Sequence, residues 1–227
     1  MVRWLFLLFW CFAQGVGAQG EGLSGKAKLD ALLAQMTKAQ AGVRTLTAQF
    51  EQIKVSHLLK EPSRSRGVFY YQAPEQVRWE YQEPRPVVVL ITARAMVTYR
   101  PQEKVAEKVE LGRQQRKVFA FLSASEPIAS LSRHFSFTLR DPGGEEPFTL
   151  VLTPMTHQIK KRIQMVELLV DRKSFLPTKV AYKEADGDVT TYLFSHIVIN
   201  GELPEGLFAL DLPAGVRVVE LQLRGSS

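Results

Sequence analysis

Apolar and polar residues alternate strictly over one stretch of the chain. Val77, Trp79 and Tyr81 fall on one side, and Arg78, Glu80 and Gln82 on the other. This pattern predicts a strand with one wet face and one apolar face carrying two large aromatics. Pro74 and Pro84 bracket it, as expected of a residue that cannot donate to a ladder and is confined to strand ends and edges. Residues 67–71 form another short aromatic run, so a hairpin turning near residues 73–76 is the natural pairing. On local pattern alone, Trp79 and Tyr81 are ordinary β core.

The period is different upstream. Leu29, Leu32, Leu33, Met36 and Val43 follow helical spacing, which predicts a helix over residues 26–42 with Gly42 as its stop. From Arg44 the alternation returns, with Leu46, Ala48 and Phe50 on one face. Pro62, Arg64 and Arg66 read as an exposed loop or a charged edge. Further strands are predicted over 86–92, 96–100 and 104–111, and two short helices over 114–122 and 126–131. The second half reads as an antiparallel meander, with strands from Phe135 to Leu139, Phe148 to Leu152, 163–171, 178–184, 189–200 and 216–223. Asp141-Pro142-Gly143-Gly144 and Ala185-Asp186-Gly187-Asp188 supply its turns. The pattern shows no internal repeat and no linker, so residues 19–227 are expected to form one domain.

Composition narrows the function classes. The formal charge is +6, from 29 basic and 23 acidic residues. The two signs are interspersed, however, with only a short cluster at Lys160-Lys161-Arg162, and no nucleic-acid-binding motif accompanies them. The N-terminus carries Arg3, an apolar run from Trp4 to Ala13, and then Val16-Gly17-Ala18. This predicts a secretion signal cut after Ala18, the run being too short to span a bilayer. The single cysteine, Cys11, lies within that run and is misplaced for lipid attachment, so the exported chain would have no thiol. His57, His134, His157 and His196 are scattered without metal-ligand spacing. Asp186-Gly187-Asp188 lacks the remaining positions of a calcium loop, and Asp171 with Glu184 makes no convincing acid–base pair. No catalytic site, metal or cofactor is expected.

The ordered motifs point to a family. They are Leu46-Thr-Ala-Gln-Phe50-Glu-Gln52, Gly67-Val-Phe-Tyr70, Pro74 with Arg78-Trp79-Glu80-Tyr81 and Pro84, and Tyr99-Arg-Pro101. Leu150-Val-Leu-Thr-Pro154, Glu184-Ala-Asp-Gly-Asp188 and Phe208 with Pro213-Ala-Gly215 follow in order. Together they resemble the outer-membrane lipoprotein carrier family (LolA-like).

That resemblance implies an α+β, mainly β fold. It would be a single curved antiparallel sheet forming an unclosed half β-barrel, with helices capping the concave face. It implies a periplasmic chaperone of a Gram-negative bacterium, a monomer, that takes acylated lipoproteins from an inner-membrane ATP-driven exporter to an outer-membrane acceptor. The acyl cavity would be lined by Phe50, Phe69, Tyr71, Val77, Trp79 and Tyr81. The lid would carry Leu29, Leu32, Leu33, Met36, Phe119 and Leu122. Some members carry an arginine just before the strand-bracketing proline, where it latches the lid; this chain has Ala73 there. Two other readings use the same fold: a sensor or regulator of envelope lipid or lipoprotein, and a carrier of another envelope lipid.

Overall fold

The structure is a computed structural model that describes residues 25–110 and 128–221. The expected cut after Ala18, the helix expected over 114–122, and Phe119 and Leu122 lie outside the described residues. The chain opens with α1 (Gly25–Ala41), followed by β1 (Thr45–Val55), β2 (Ser63–Gln72), β3 (Gln76–Glu83), β4 (Val87–Ile91), β5 (Ala95–Arg100) and β6 (Val105–Glu110). Then come α2 (Ile128–Leu131), β7 (Phe135–Arg140), β8 (Phe148–Pro154), α3 (His157–Lys160), β9 (Ile163–Val170), β10 (Pro177–Glu184), β11 (Val189–Ile199) and β12 (Arg217–Leu221).

All the described strands join one 12-stranded sheet in the order β12-β6-β5-β4-β3-β2-β1-β11-β10-β9-β8-β7. The edges β7 and β12 do not pair with each other, so the sheet is unclosed. The β2–β3 hairpin turns where alternation and proline placed it, pairing Phe69 with Trp79 and Tyr71 with Val77.

Three features differ from the sequence reading. β12 does not extend the antiparallel meander of the second half. It returns to the first half and pairs in parallel with β6, from Arg217↔Val105 to Leu221↔Val109. Arg64 and Arg66 belong to no loop, because they lie within β2, paired with Ile53 and Glu51 of β1; Arg66 also pairs with Glu83 of β3, while Arg64 lies past the end of the β2–β3 ladder. Their side chains point outward, where Glu51 and Glu83 offset their charge, so an interior strand tolerates them. The short helix α3 interrupts the β8–β9 connection, for which the sequence reading named no element.

The core has two connected parts. Leu32 and Met36, one turn apart on α1, are buried with Ile128 and Leu131 of α2 and the inward residues of β7–β10, among them Leu150, Leu152, Val166 and Val170. Phe50, Phe69, Val77, Trp79, Ile91 and Val109 form the second part on β1–β6. Phe194 of β11 packs against both, so both lie on the same concave face. Each such side chain contributes about 1.5–3 kcal/mol when fully buried. Asn200 fixes the entry from helix to sheet, donating to the Gly42 carbonyl (2.9 Å) and accepting from the Arg44 amide (2.7 Å).

Candidate functional site

Alternation along β3 carries Val77, Trp79 and Tyr81 onto the concave face, and β1 and β2 bring Phe50 and Phe69 beside them. Trp79 lies 4.8 Å from Phe50 and 4.6 Å from Phe69 between ring centroids, and Phe50 meets Tyr81 edge-on at 5.0 Å. Edge-on and tilted contacts at such distances are the favourable aromatic geometries. Phe50, Phe69, Val77 and Trp79 are buried, and Tyr71 and Tyr81 pack around them. The structure therefore gathers all six expected cavity residues into one cluster.

Two aromatic members of that cluster were not named from the sequence. Tyr192 lies tilted 5.0 Å from Trp79, and Phe194 lies 5.9 Å from Phe69. Both belong to the alternation Thr190, Tyr192, Phe194 within β11, which was the signal available for finding them. One end of the cluster is polar. Gln52 donates to the Tyr192 hydroxyl at 3.0 Å, and the Tyr81 and Tyr182 phenols neighbour it. Burial pushes the Tyr81, Tyr182 and Tyr192 phenols above the ordinary tyrosine range, so they stay neutral donors and acceptors.

The other end opens into a cavity of about 230 Å³ beneath the last turn of α1. Leu46, Ala48, Phe69, Tyr71, Phe194 and Ile197 line its sheet side, Thr37, Gln40 and Ala41 its helix side, and no charged residue faces it. Ile197 reaches the cavity through a bulge. Between Thr47 and Gln49 the β1–β11 register slips, and His196 takes a left-handed φ of 51°. The extra residue turns Ile197 inward, where simple alternation from Phe194 would have placed His196.

The lid residues fall elsewhere on the concave face. Leu29, Leu32, Leu33 and Met36 pack over β7–β10 and α2. They do not cover the Phe50–Trp79 cluster, as capping of that cluster by the α1 stripe would have required. The cavity lies between the two.

The family model for the outer membrane lipoprotein carrier protein LolA matches residues 41–211. The chain belongs to the LolA family. It is similar to the outer-membrane lipoprotein carrier protein of Legionella pneumophila strain Lens, with 25% identity over 222 residues, 97% of this chain and 100% of that protein. The carrier protein of Methylococcus capsulatus is 25% identical over 178 residues, 78% of this chain and 82% of its own. Among solved structures, an uncharacterized conserved protein from Thermus thermophilus aligns with a TM-score of 0.54 at 13% identity, covering 86% of this chain and 99% of that one. MucB aligns with a TM-score of 0.52 at 16% identity, covering 86% of this chain and 66% of that one. These structural likenesses bear on the fold alone. The LolA match spans the whole aromatic cluster and both sides of the bulge, whereas Leu29, Leu32, Leu33 and Met36 precede it. Among the described residues, no group of His, Cys, Asp and Glu could hold a metal ion, and no helix is long and apolar enough to cross a membrane.

Proposed function

We propose that the protein is a periplasmic carrier that holds the acyl chains of lipoproteins on its concave face. It takes them from an inner-membrane ATP-driven exporter and delivers them to an outer-membrane acceptor. The observation that carries this reading is the uncharged cavity between α1 and the aromatic cluster, in a chain of the LolA family. Each methylene exposed to water costs about 0.8 kcal/mol, so a ~16-carbon chain is disfavoured by roughly 13 kcal/mol outside a membrane. A carrier offsets that cost with apolar walls, and no covalent step is needed, so the role is that of a chaperone rather than an enzyme.

The preformed cavity, about 230 Å³, is smaller than the ~300–1,000 Å³ of typical small-molecule pockets. A long chain therefore enters only as the cavity widens. The polar Gln52–Tyr192 end is the unfavourable direction for an alkyl chain, so widening proceeds between α1 and Phe69, Tyr71 and Phe194.

Lipoprotein release from spheroplasts tests this reading, with the purified protein and its Ala48→Phe variant. Ala48 is buried at the cavity wall, and a benzyl group there fills the space an acyl chain needs. Release by the parent protein and loss of release by a folded variant are expected. Absence of release by the parent, or free glycolipid as the species bound to protein isolated from its own periplasm, would overturn the assignment.

A further inference from the structure

Strand register brings several connections onto one rim of the sheet. Val55 pairs with Val189, Glu184 with Ile163, and Phe135 with Pro154, so the β1–β2, β10–β11, β8–β9 and α2–β7 connections share that end. Hydrogen bonds tie them together. The Met155 amide donates to the His134 carbonyl at 2.8 Å, and the Ala185 amide to the Arg162 carbonyl at 2.9 Å. Asp188 meets Lys54 at 3.4 Å and His57 at 3.2 Å.

The charge on this rim is uneven. The α2–β7 and β8–β9 connections carry Arg133, Lys160, Lys161 and Arg162, all exposed, and contain no carboxylate of their own. None of the four has an ion-pair partner among the described residues. On the neighbouring loops, Glu184 and Asp188 are engaged by Lys54, which leaves Asp186 and Glu61 as the remaining acids there.

The same rim presents apolar side chains to solvent. Leu58 is 81% exposed, with Val55 and Met155 each at 49% and Leu59 at 45%. The turn bearing Leu58 is built to hold it there. The Leu58 amide donates to Ser56 Oγ (3.2 Å) and the Leu59 amide to the Ser56 carbonyl (3.0 Å). Ser56 is buried, and its hydroxyl helps hold the Asp188 carboxyl below its ordinary value.

We propose that this rim docks on an anionic lipid bilayer. The cations of the α2–β7 and β8–β9 connections face the headgroups, and Leu58 and its apolar neighbours enter the interface. Basic residues near an anionic surface and apolar side chains at the headgroup boundary contribute additively to such binding. The contact is reversible, because so few apolar groups enter, and it stands independently of what the cavity carries.

Vesicle co-sedimentation of the full chain tests it, comparing pure phosphatidylcholine with an equal mixture of phosphatidylcholine and phosphatidylglycerol. The chain is expected to bind the anionic vesicles more tightly, with added salt weakening binding. Replacing Lys160, Lys161 and Arg162 by Gln should weaken binding to the anionic vesicles on the order of a hundred-fold. Leu58→Ser should weaken binding to both vesicles, leaving its salt dependence in place. All of these residues are exposed, and both variants retain residues 1–18, so any difference from the parent reports on the rim. Equal binding of parent and Gln variant, equal binding to the two vesicles, or capture of the rim only by an acidic protein would overturn the proposal.

Discussion

Gly67 and Phe50 face each other across the β1–β2 pair with room between them for nothing larger than a hydrogen. A Cβ on Gly67 would fall within 2.9 Å of the Phe50 ring and would overlap the Glu80 carbonyl oxygen of β3. The register of β2 on β3 slips between Arg66 and Gly67. The missing side chain is thus what lets three adjacent strands close beneath the aromatic cluster. Overpacking of this kind costs about 1–3 kcal/mol. Gly67→Ala is expected to lower the melting temperature by roughly 2–4 °C for each kcal/mol lost. Thermal unfolding followed by circular dichroism measures it, and an unchanged Tm would show that the strands separate at no cost.

The tryptophans of the chain are Trp4, Trp10 and Trp79. In protein cleaved after Ala18, Trp79 is the sole indole, and it is 5% exposed against Phe50, Phe69 and Tyr192. Free protein should fluoresce as a buried indole. Long-chain fatty acid should change that emission, by shift or quenching, in a saturable way as the cluster rearranges. An emission insensitive to acyl ligands would place their binding away from Trp79.

Hydrogen exchange locates the moving element. The last turn of α1, with Thr37, Gln40 and Ala41 over the cavity, should lose amide protection when an acyl ligand binds. Leu32 and Met36, buried against β7–β10, should keep theirs longer. Uniform protection along α1 in the free and bound states would mean that chains enter without displacing the helix.

Acid and alkali should act at the same end of the barrel for opposite reasons. The Ser56 hydroxyl, and then Lys54 and His57, hold the Asp188 carboxyl below its ordinary value, against the opposing pull of burial. A lowered folded-state pKa contributes stability above the unfolded value, about 3.9, and that contribution is lost as pH falls through the folded one. Asp188→Asn should therefore flatten the acid limb of a stability–pH curve. The raised Tyr192 phenol has the reverse sign. Its contribution is complete below the unfolded value of about 10 and is lost as pH rises beyond it. Tyr192→Phe should flatten the alkaline limb. Denaturant melts across pH measure both slopes, and parallel curves for parent and variant would refute either assignment.

Much of the sheet was legible because one-sided burial writes itself into alternate positions. Leu46, Ala48 and Phe50, then Val77, Trp79 and Tyr81, then Phe135, Phe137 and Leu139 each mark the concave face. α1 was equally plain, since Leu29, Leu32, Leu33 and Met36 repeat at helical spacing and Gly42 stops them. What alternation does not encode is which strand pairs with which. β12 looks locally like any continuation of the meander, and its return to β6 is a tertiary choice. Arg64 and Arg66 misled for a related reason: their acidic partners, Glu51 and Glu83, stand on neighbouring strands rather than nearby in sequence. The placement of Ile197 depended on a bulge, and a single extra residue inverts every inference drawn from alternation beyond it.

The parallel pairing of β12 with β6 bears on the order of folding. Lys108 and Glu220, which face each other at 3.4 Å across that pair, stand 112 residues apart in the chain. Every other described pairing is antiparallel, and all but β1–β11, which also joins distant parts of the chain, link strands consecutive in sequence. This one must wait for β12 to emerge from the ribosome and for the segment after β11 to pass over Arg78, whose guanidinium donates to the Leu207 carbonyl at 2.9 Å. Until then, β6 stands as an open edge with unpaired backbone donors and acceptors. Pairings at such separation are slow to close, so the half-barrel spends its early life with an adhesive flank, covered only once β12 has been made.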